Sequence, residues 1–178
     1  MLSQLARLSM EADGRYASAE ELQFLKEYFQ SLNHRISAYK KIQASEKEIL
    51  RQVEAQIQSL DASLFRRGSQ DVTSKWRLDT VRVLRHSAAA LLTNDTERLR
   101  DRLLLWFQTI LGAFQAKNSS AVTYDVMKKV LKQYLTAEEA SLFFRFWKLT
   151  APYLANRYWQ IGAIASVTAN AIALTIYF

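Results

Sequence analysis

Residues 11–22 read Glu11-Ala12-Asp13-Gly14-Arg15-Tyr16-Ala17-Ser18-Ala19-Glu20-Glu21-Leu22, and they decide how the chain is built. Ser18-Ala19-Glu20-Glu21 is a capping box, in which a hydroxyl and a glutamate satisfy each other's free backbone donors at a helix start. Just downstream, Leu22, Leu25, Tyr28, Phe29 and Leu32 follow the i, i+3, i+4 spacing of one helix face. Upstream, Leu2, Leu5, Leu8 and Met10 have helical apolar spacing too. The stretch is therefore a corner joining two helices.

The same signals recur along the chain. Ser45-Glu46-Lys47-Glu48 and Thr136-Ala137-Glu138-Glu139 repeat the capping box, and Asn94-Asp95-Thr96-Glu97 offers a cap just before an apolar run. The spacing predicts helices over 2–12, 18–32, 34–44, 46–61, 71–93, 96–116, 122–134 and 137–151. Breaks are expected at Arg66-Arg67-Gly68-Ser69 and at Lys117-Asn118-Ser119-Ser120. No internal repeat, low-complexity tract or strand alternation interrupts the pattern, and four glycines and one proline leave few helix breakers. Helices with short connections imply an all-α, globin-like packing.

Composition narrows the chemistry. A chain of 178 residues, 49% hydrophobic, buries a real core. The absence of cysteine excludes disulfides, thiolate metal sites, cysteine nucleophiles and thioether-linked cofactors. Two histidines, His34 and His86, exclude a histidine-rich metal site. The net charge of +7 suits an acidic protein surface, an anionic membrane or nucleic acid. Basic residues are scattered rather than set in one stripe, which argues against nucleic acid. No continuous apolar run marks the N-terminus as a secretory signal. Ser, His and Asp occur without a nucleophile elbow, and no glycine-rich phosphate loop is present, so no enzyme is expected.

Residues 161–178, IGAIASVTANAIALTIYF, contain no charge, and Arg157, Tyr158 and Trp159 precede them. That length meets the lower bound for crossing a bilayer core, with the anchors an interface favours. Small residues at Gly162, Ser166 and Asn170 and at Ala165, Ala169 and Ala173 add the four-residue spacing of close membrane-helix contacts. The segment reads as a C-terminal anchor, as a last helix docked on the body or on a partner, or as an unordered tail. The domain expectation is 1–155 for the body and 156–178 for this hydrophobic segment.

Residues 11–22 resemble the N-terminal signature of phycobiliproteins: an acidic residue, Arg-Tyr, a small residue, then Ser and Glu-Leu. Val83-Leu84-Arg85-His86-Ser87-Ala88-Ala89-Ala90-Leu91-Leu92-Thr93-Asn94-Asp95 resembles that family's Tyr-Leu-Arg, small-residue, Gly-Asp stretch. Leu135-Thr136-Ala137-Glu138-Glu139-Ala140 resembles the start of its last globin helix. The matches are in order, cover about residues 8–155, and look most like allophycocyanin-type subunits. The resemblance implies a globin-like body preceded by two N-terminal pairing helices, with a hydrophobic C-terminal helix added here.

It also implies particular site residues. The bilin-bearing helix of the family carries Cys-x-Arg-Asp, and aligning it places Trp76 at the cysteine, Leu78 at the arginine and Asp79 at the aspartate. Only Asp79 is retained, and it reads equally as a solvated helix carboxylate. A covalent bilin is ruled out by the missing thiol; a bilin or other chromophore held non-covalently in the globin pocket is the alternative. His86 invites a haem reading, but a lone histidine is more often structural. For pairing, the resemblance implies that Glu11 and Tyr16 meet the partner's equivalent of Arg85, fixing orientation more than supplying affinity. Asn94 stands where the family has Gly, a change Asn tolerates because it enters left-handed conformations.

The expected protein is a non-pigmented docking or structural component of a cyanobacterial phycobilisome. Its partners would be phycobiliprotein-type subunits, either itself or another family member. Its place would be the cytoplasmic face of the thylakoid membrane if 156–178 anchors, and the cytoplasm if that helix docks on the body. Antenna subunits of the family are usually acidic, so a basic chain complements both them and anionic lipid.

Overall fold

A computed structural model describes residues 1–105, 107, 109 and 117–154. The expected hydrophobic segment 156–178 lies outside them, and with it the anchor and docked-helix expectations.

Helix α1 spans Leu2–Glu11 and α2 spans Ala19–Asp61. The corner forms as the capping box predicts. Ser18 Oγ accepts from the Glu21 amide at 3.3 Å, and the Ser18 amide donates to the Glu21 carboxylate at 2.7 Å. Arg15 then grips both Glu21 oxygens at 2.9 and 2.7 Å, so the corner is held from both sides. Ser18→Ala is expected to cost about 1 kcal/mol, the usual worth of an N-cap, and to lower the melting temperature in a calorimetric scan.

Helix α2 corrects the prediction of three helices at 18–32, 34–44 and 46–61. It runs unbroken for 43 residues. Arg35, Ala38, Ile42, Ile49, Val53 and Ile57 are buried along one stripe, and this tertiary contact carries the helix through Asn33 and Ser45. The second capping box is not used. Glu48 instead holds Arg51 at 2.6 and 2.8 Å and Gln52 at 2.8 Å along the helix surface.

A 3₁₀ turn, Ala62–Phe65, ends α2 and leads into a small antiparallel ladder of β1 (Arg66–Arg67) and β2 (Gln70–Asp71). The Arg66–Ser69 break is where the sequence placed it, though it is a hairpin, with Gly68 at φ +58° making the reversal a side chain resists. Helix α3, Thr73–Thr93, ends at Asn94 in the left-handed region, φ 50° and ψ 47°, as Asn permits. Asp95 caps the next helix, α4 (Thr96–Leu99), accepting from the Arg98 amide at 3.1 Å. The chain then passes into a π-helical segment, Arg100–Leu104, so the described residues of the helix predicted over 96–116 are helical but its second turn is wound more widely than an α-helix.

Helix α5 covers Lys117–Leu131 and α6 covers Ala137–Leu154. The Lys117–Ser120 break predicted from its polarity is helical. Thr136 opens α6 with a complete capping box to Glu139 at 2.8 and 3.3 Å.

Helix α2 packs on α3, α5 and α6, around fully buried Leu84, Leu91, Met127, Leu131, Phe143 and Phe146. Along its outer edge two bidentate pairs pin it to antiparallel α3. Arg85 holds Glu46 at 2.7 and 2.7 Å, and Arg77 holds Glu54 at 2.6 and 2.5 Å. The two acids and the two arginines are each two turns apart, with Leu50 and Val81 lining the groove between. These bridges are half-exposed, so they set helix register more than they add stability.

Candidate functional site

The residues named for a bilin and those named for pairing fall in two separate places. The first is a cleft of about 100 Å³ where α3, the 3₁₀ turn, α5 and α6 converge, its wall including Trp76, Asp79, Thr80, Thr123, Tyr124 and Trp147. Trp76 projects from the first turn of α3 against Phe65, edge to face at 5.1 Å. Its indole Nε1 donates to Thr123 Oγ1 at 2.8 Å, and that hydroxyl donates to the Ser119 carbonyl at 2.6 Å. The relay locks the indole into the cleft wall. Thr123 was not legible as a site residue, because only the packing of helices 47 residues apart brings it to Trp76.

Asp79 lies one turn on, at the cleft, with its side chain only 22% exposed. It is not the solvated helix carboxylate the sequence allowed. Burial raises its pKa, with the Lys75 ammonium and the Arg82 guanidinium, 3.9 Å away, pulling the other way. Leu78 is 53% exposed and is not among the residues of the cleft wall.

These residues do not fit a bilin held as the resemblance implies. There is no thiol, an indole pinned by Thr123 stands at the attachment position, and the residue at the arginine position turns to solvent as an alkyl chain. What remains is an aromatic cleft with one partly buried carboxylate. His86 does not line it; the imidazole sits on the outer side of α3, its pKa lowered by partial burial and by Arg98.

The second place is the N-terminal arm, α1 and the first turns of α2. No residue of α1 is buried. Leu2, Leu5, Met10 and Leu22 are exposed, Phe29 is 64% exposed, and Tyr16 is 99% exposed. The arm touches the body at few points. Ser3 donates its amide and hydroxyl to Asp95, both at 2.8 Å, and Arg7 pairs with Glu97. Glu11 is exposed, and its carbonyl accepts from Arg15 at 3.2 Å. Arg85 stands on the outer face of α3, 67% exposed, its Nε and Nη2 bound to Glu46. Glu11, Tyr16 and Arg85 thus sit on the surface of a single chain, and the Glu46 partner of Arg85 was missed because only the α2–α3 register brings it near.

No curated protein matches the chain. The model of the phycobilisome protein family does, over residues 8–157, which takes in the end of α1, both pinned helices and the cleft. The all-α body described above is accordingly the globin-like fold of that family, whose members assemble with other phycobiliprotein subunits as light-harvesting structural proteins. The chain belongs to the phycobilisome protein family.

Proposed function

We propose that this protein is a non-pigmented structural or docking subunit that pairs through its N-terminal arm with phycobiliprotein-type subunits. One observation carries the reading: α1 is a ten-residue helix without a single buried residue, with Leu2, Leu5 and Met10 exposed to water. A helix of that length is marginal alone, since most helical stability comes from packing an apolar face. A covering surface supplies that packing. In this reading Glu11 and Tyr16 meet the partner's counterpart of Arg85, and Trp76 fills the space a pigment would take, its neighbour Leu78 offering no cation to a propionate.

Attachment to the thylakoid rests on sequence alone, on the uncharged residues 161–178. Among the described residues no helix is long and apolar enough to cross a membrane. Fractionation of full-length protein against a truncation at Asn156 tests the tether; if both forms stay in the soluble fraction, the anchor is wrong.

The cleft favours one further reading, a small chromophore or other ligand held without a covalent bond beside Asp79. Co-expression with bilin synthesis separates the two. The docking role predicts colourless protein after gel filtration, and a visible band that stays with the protein would replace it with the ligand role. For the pairing itself, immobilised full-length protein is expected to retain bilin-coloured subunits from a cyanobacterial extract. Tyr16→Asp should reduce that recovery at least about tenfold by setting a charge in the apolar contact. Equal recovery by both forms would remove the arm from the interaction.

A further inference from the structure

The hairpin between α2 and α3 carries two arginines and a hydroxyl that the pairing role does not use. Arg66 pairs with Asp71 and Arg67 with Gln70 across the ladder, which leaves Gly68 and Ser69 as a two-residue turn. Every residue from Arg66 to Asp71 is exposed. The ladder is only two residue pairs long, and so short a hairpin is marginal on its own. Its base is firmer. The Val72 amide donates to the Phe65 carbonyl at 2.8 Å, and Phe65, 4% exposed, packs edge to face on Trp76. Residues 66–70 can therefore open into an extended strand while the core beneath them stays packed.

Four serines of the chain, Ser9, Ser37, Ser69 and Ser87, have an arginine two positions ahead, and of these Ser69 alone has a second arginine three positions ahead. The other three lie inside helices. Ser9 donates to the Ala6 carbonyl at 2.8 Å, Ser37 donates to Glu139 at 2.6 Å, and Ser87 is fully buried. Ser18, with Arg15 three positions ahead, is occupied as the cap of α2. Among the serines, only Ser69 combines two preceding guanidinium groups, an exposed hydroxyl and a segment able to extend.

We propose that Ser69 is a phosphorylation site, its donor a nucleoside triphosphate delivered by a serine kinase whose substrate groove is acidic. Carboxylates in such a groove pair with Arg66 and Arg67, and that charge pattern selects this serine over the helical ones. Ser69 Oγ attacks the γ-phosphorus, and the new O–P bond forms as the bond to the β,γ-bridging oxygen breaks. The hydroxyl proton passes to a carboxylate of the kinase, and the nucleoside diphosphate leaves. Residues 66–71 hold two arginines and one aspartate, a net of +1. A phosphate adds about −1.5 to −2, so the sign of the hairpin reverses. The change falls beside a cleft whose wall includes Arg67 and Lys75. Modification thus turns a surface suited to anions into one that repels them. Nothing in this depends on the arm pairing with a partner.

The test treats the full chain, in mild non-ionic detergent, with ATP and a serine kinase that selects arginine two and three positions ahead of its acceptor. One phosphate should be incorporated, and fragment masses should place it on Ser69. Ser69→Ala should abolish the incorporation. Arg66→Gln with Arg67→Gln should lower kcat/KM for the transfer at least about a hundredfold, because two charge-assisted contacts to the kinase are lost. These changes are at exposed positions and should leave the helical circular dichroism as in wild type. The chain isolated from the cells that make it, with phosphatases inhibited, should carry phosphate on Ser69 in a measurable fraction of molecules. Phosphate appearing on Ser9, Ser18 or Ser37 at a comparable rate, transfer that survives the loss of both arginines, or native protein with Ser69 wholly unmodified would overturn the site.

Discussion

Arg35→Ala should be the most damaging single substitution proposed for this chain, lowering stability by about 3 kcal/mol. Arg35 is 2% exposed and has no carboxylate partner among its described contacts, an arrangement that is costly unless something else takes up the charge. Here the end of α3 does so. Arg35 Nη1 donates to the Leu91 carbonyl at 2.7 Å, in the last turn, where the helix dipole places partial negative charge. Nε donates to Ser31 Oγ at 2.8 Å, and the guanidinium lies 5.9 Å from the Tyr28 ring and 5.8 Å from Phe146. Burial lowers its pKa, and nearby Arg145 adds to this, yet an arginine stays charged at any ordinary pH. Alanine would leave a cavity between two aromatic rings and take a donor from Leu91. Urea unfolding measures the loss through the transition midpoint. A change worth under about 1 kcal/mol would mean that the rings and carbonyl repack without the cation. The effect should spread to the arm, because Tyr28 on the same face donates to the Leu92 carbonyl at 3.1 Å and Asp95, just beyond, holds Ser3.

Nothing in the local sequence marks Arg35 for this role, and the reason is general to the chain. Features decided within four residues were legible: the capping boxes at Ser18 and Thr136, the Asp95 cap and the left-handed Asn94. Features decided by distant packing were not. Ser45 to Glu48 has the chemistry of a helix start, but the stripe from Arg35 to Ile57 buries one continuous face, and that free energy outweighs a single cap. Ser119 and Ser120 read as a loop, yet they lie near the start of a helix, where Thr123 donates back to the Ser119 carbonyl. The π-helical turn at Arg100–Leu104 has no sequence signal at all.

The candidate site divides in the same way. That Trp76 and Asp79 share a helix one turn apart follows from their spacing, and both do reach one cleft. That Thr123 fixes the indole, or that Glu46 takes two of Arg85's nitrogens, depends on helices meeting from 47 and 39 residues away. The arm shows the opposite failure. Its leucines have the spacing of a buried face, and within one chain that face is not buried. A pattern of burial with no burial behind it is the physical content of the pairing proposal.

Glu139 should make the fold acid-sensitive in a way one substitution removes. Its side chain, at the start of α6, is 3% exposed, and that burial pushes its pKa up. Lys41 at 2.7 and 2.9 Å, the Ser37 hydroxyl at 2.6 Å and the Thr136 amide at 2.8 Å outweigh burial and hold the carboxyl down, to about 2. Its pKa thus lies below the ordinary value of 4.5, so the folded state favours the charged form. The stabilisation is complete above that ordinary value and drains away as pH falls from there toward 2. Its size is on the order of 3 kcal/mol, since each tenfold change in proton affinity between the unfolded and folded chain is worth about 1.4 kcal/mol and the pKa falls from 4.5 to about 2. Glu139→Gln keeps the volume and leaves Lys41, itself 40% exposed, free to turn to water. Glu21 and Glu48 are also held at about 2, but by surface arginines, and they give both proteins the same background slope. The difference between wild type and Glu139→Gln therefore isolates one carboxylate. In urea titrations at a series of pH values the two midpoints should be well apart near neutrality and converge in acid. A gap that stays constant across that range would mean that Glu139 stabilises the junction of α2 and α6 through shape and hydrogen bonding, with its charge contributing nothing.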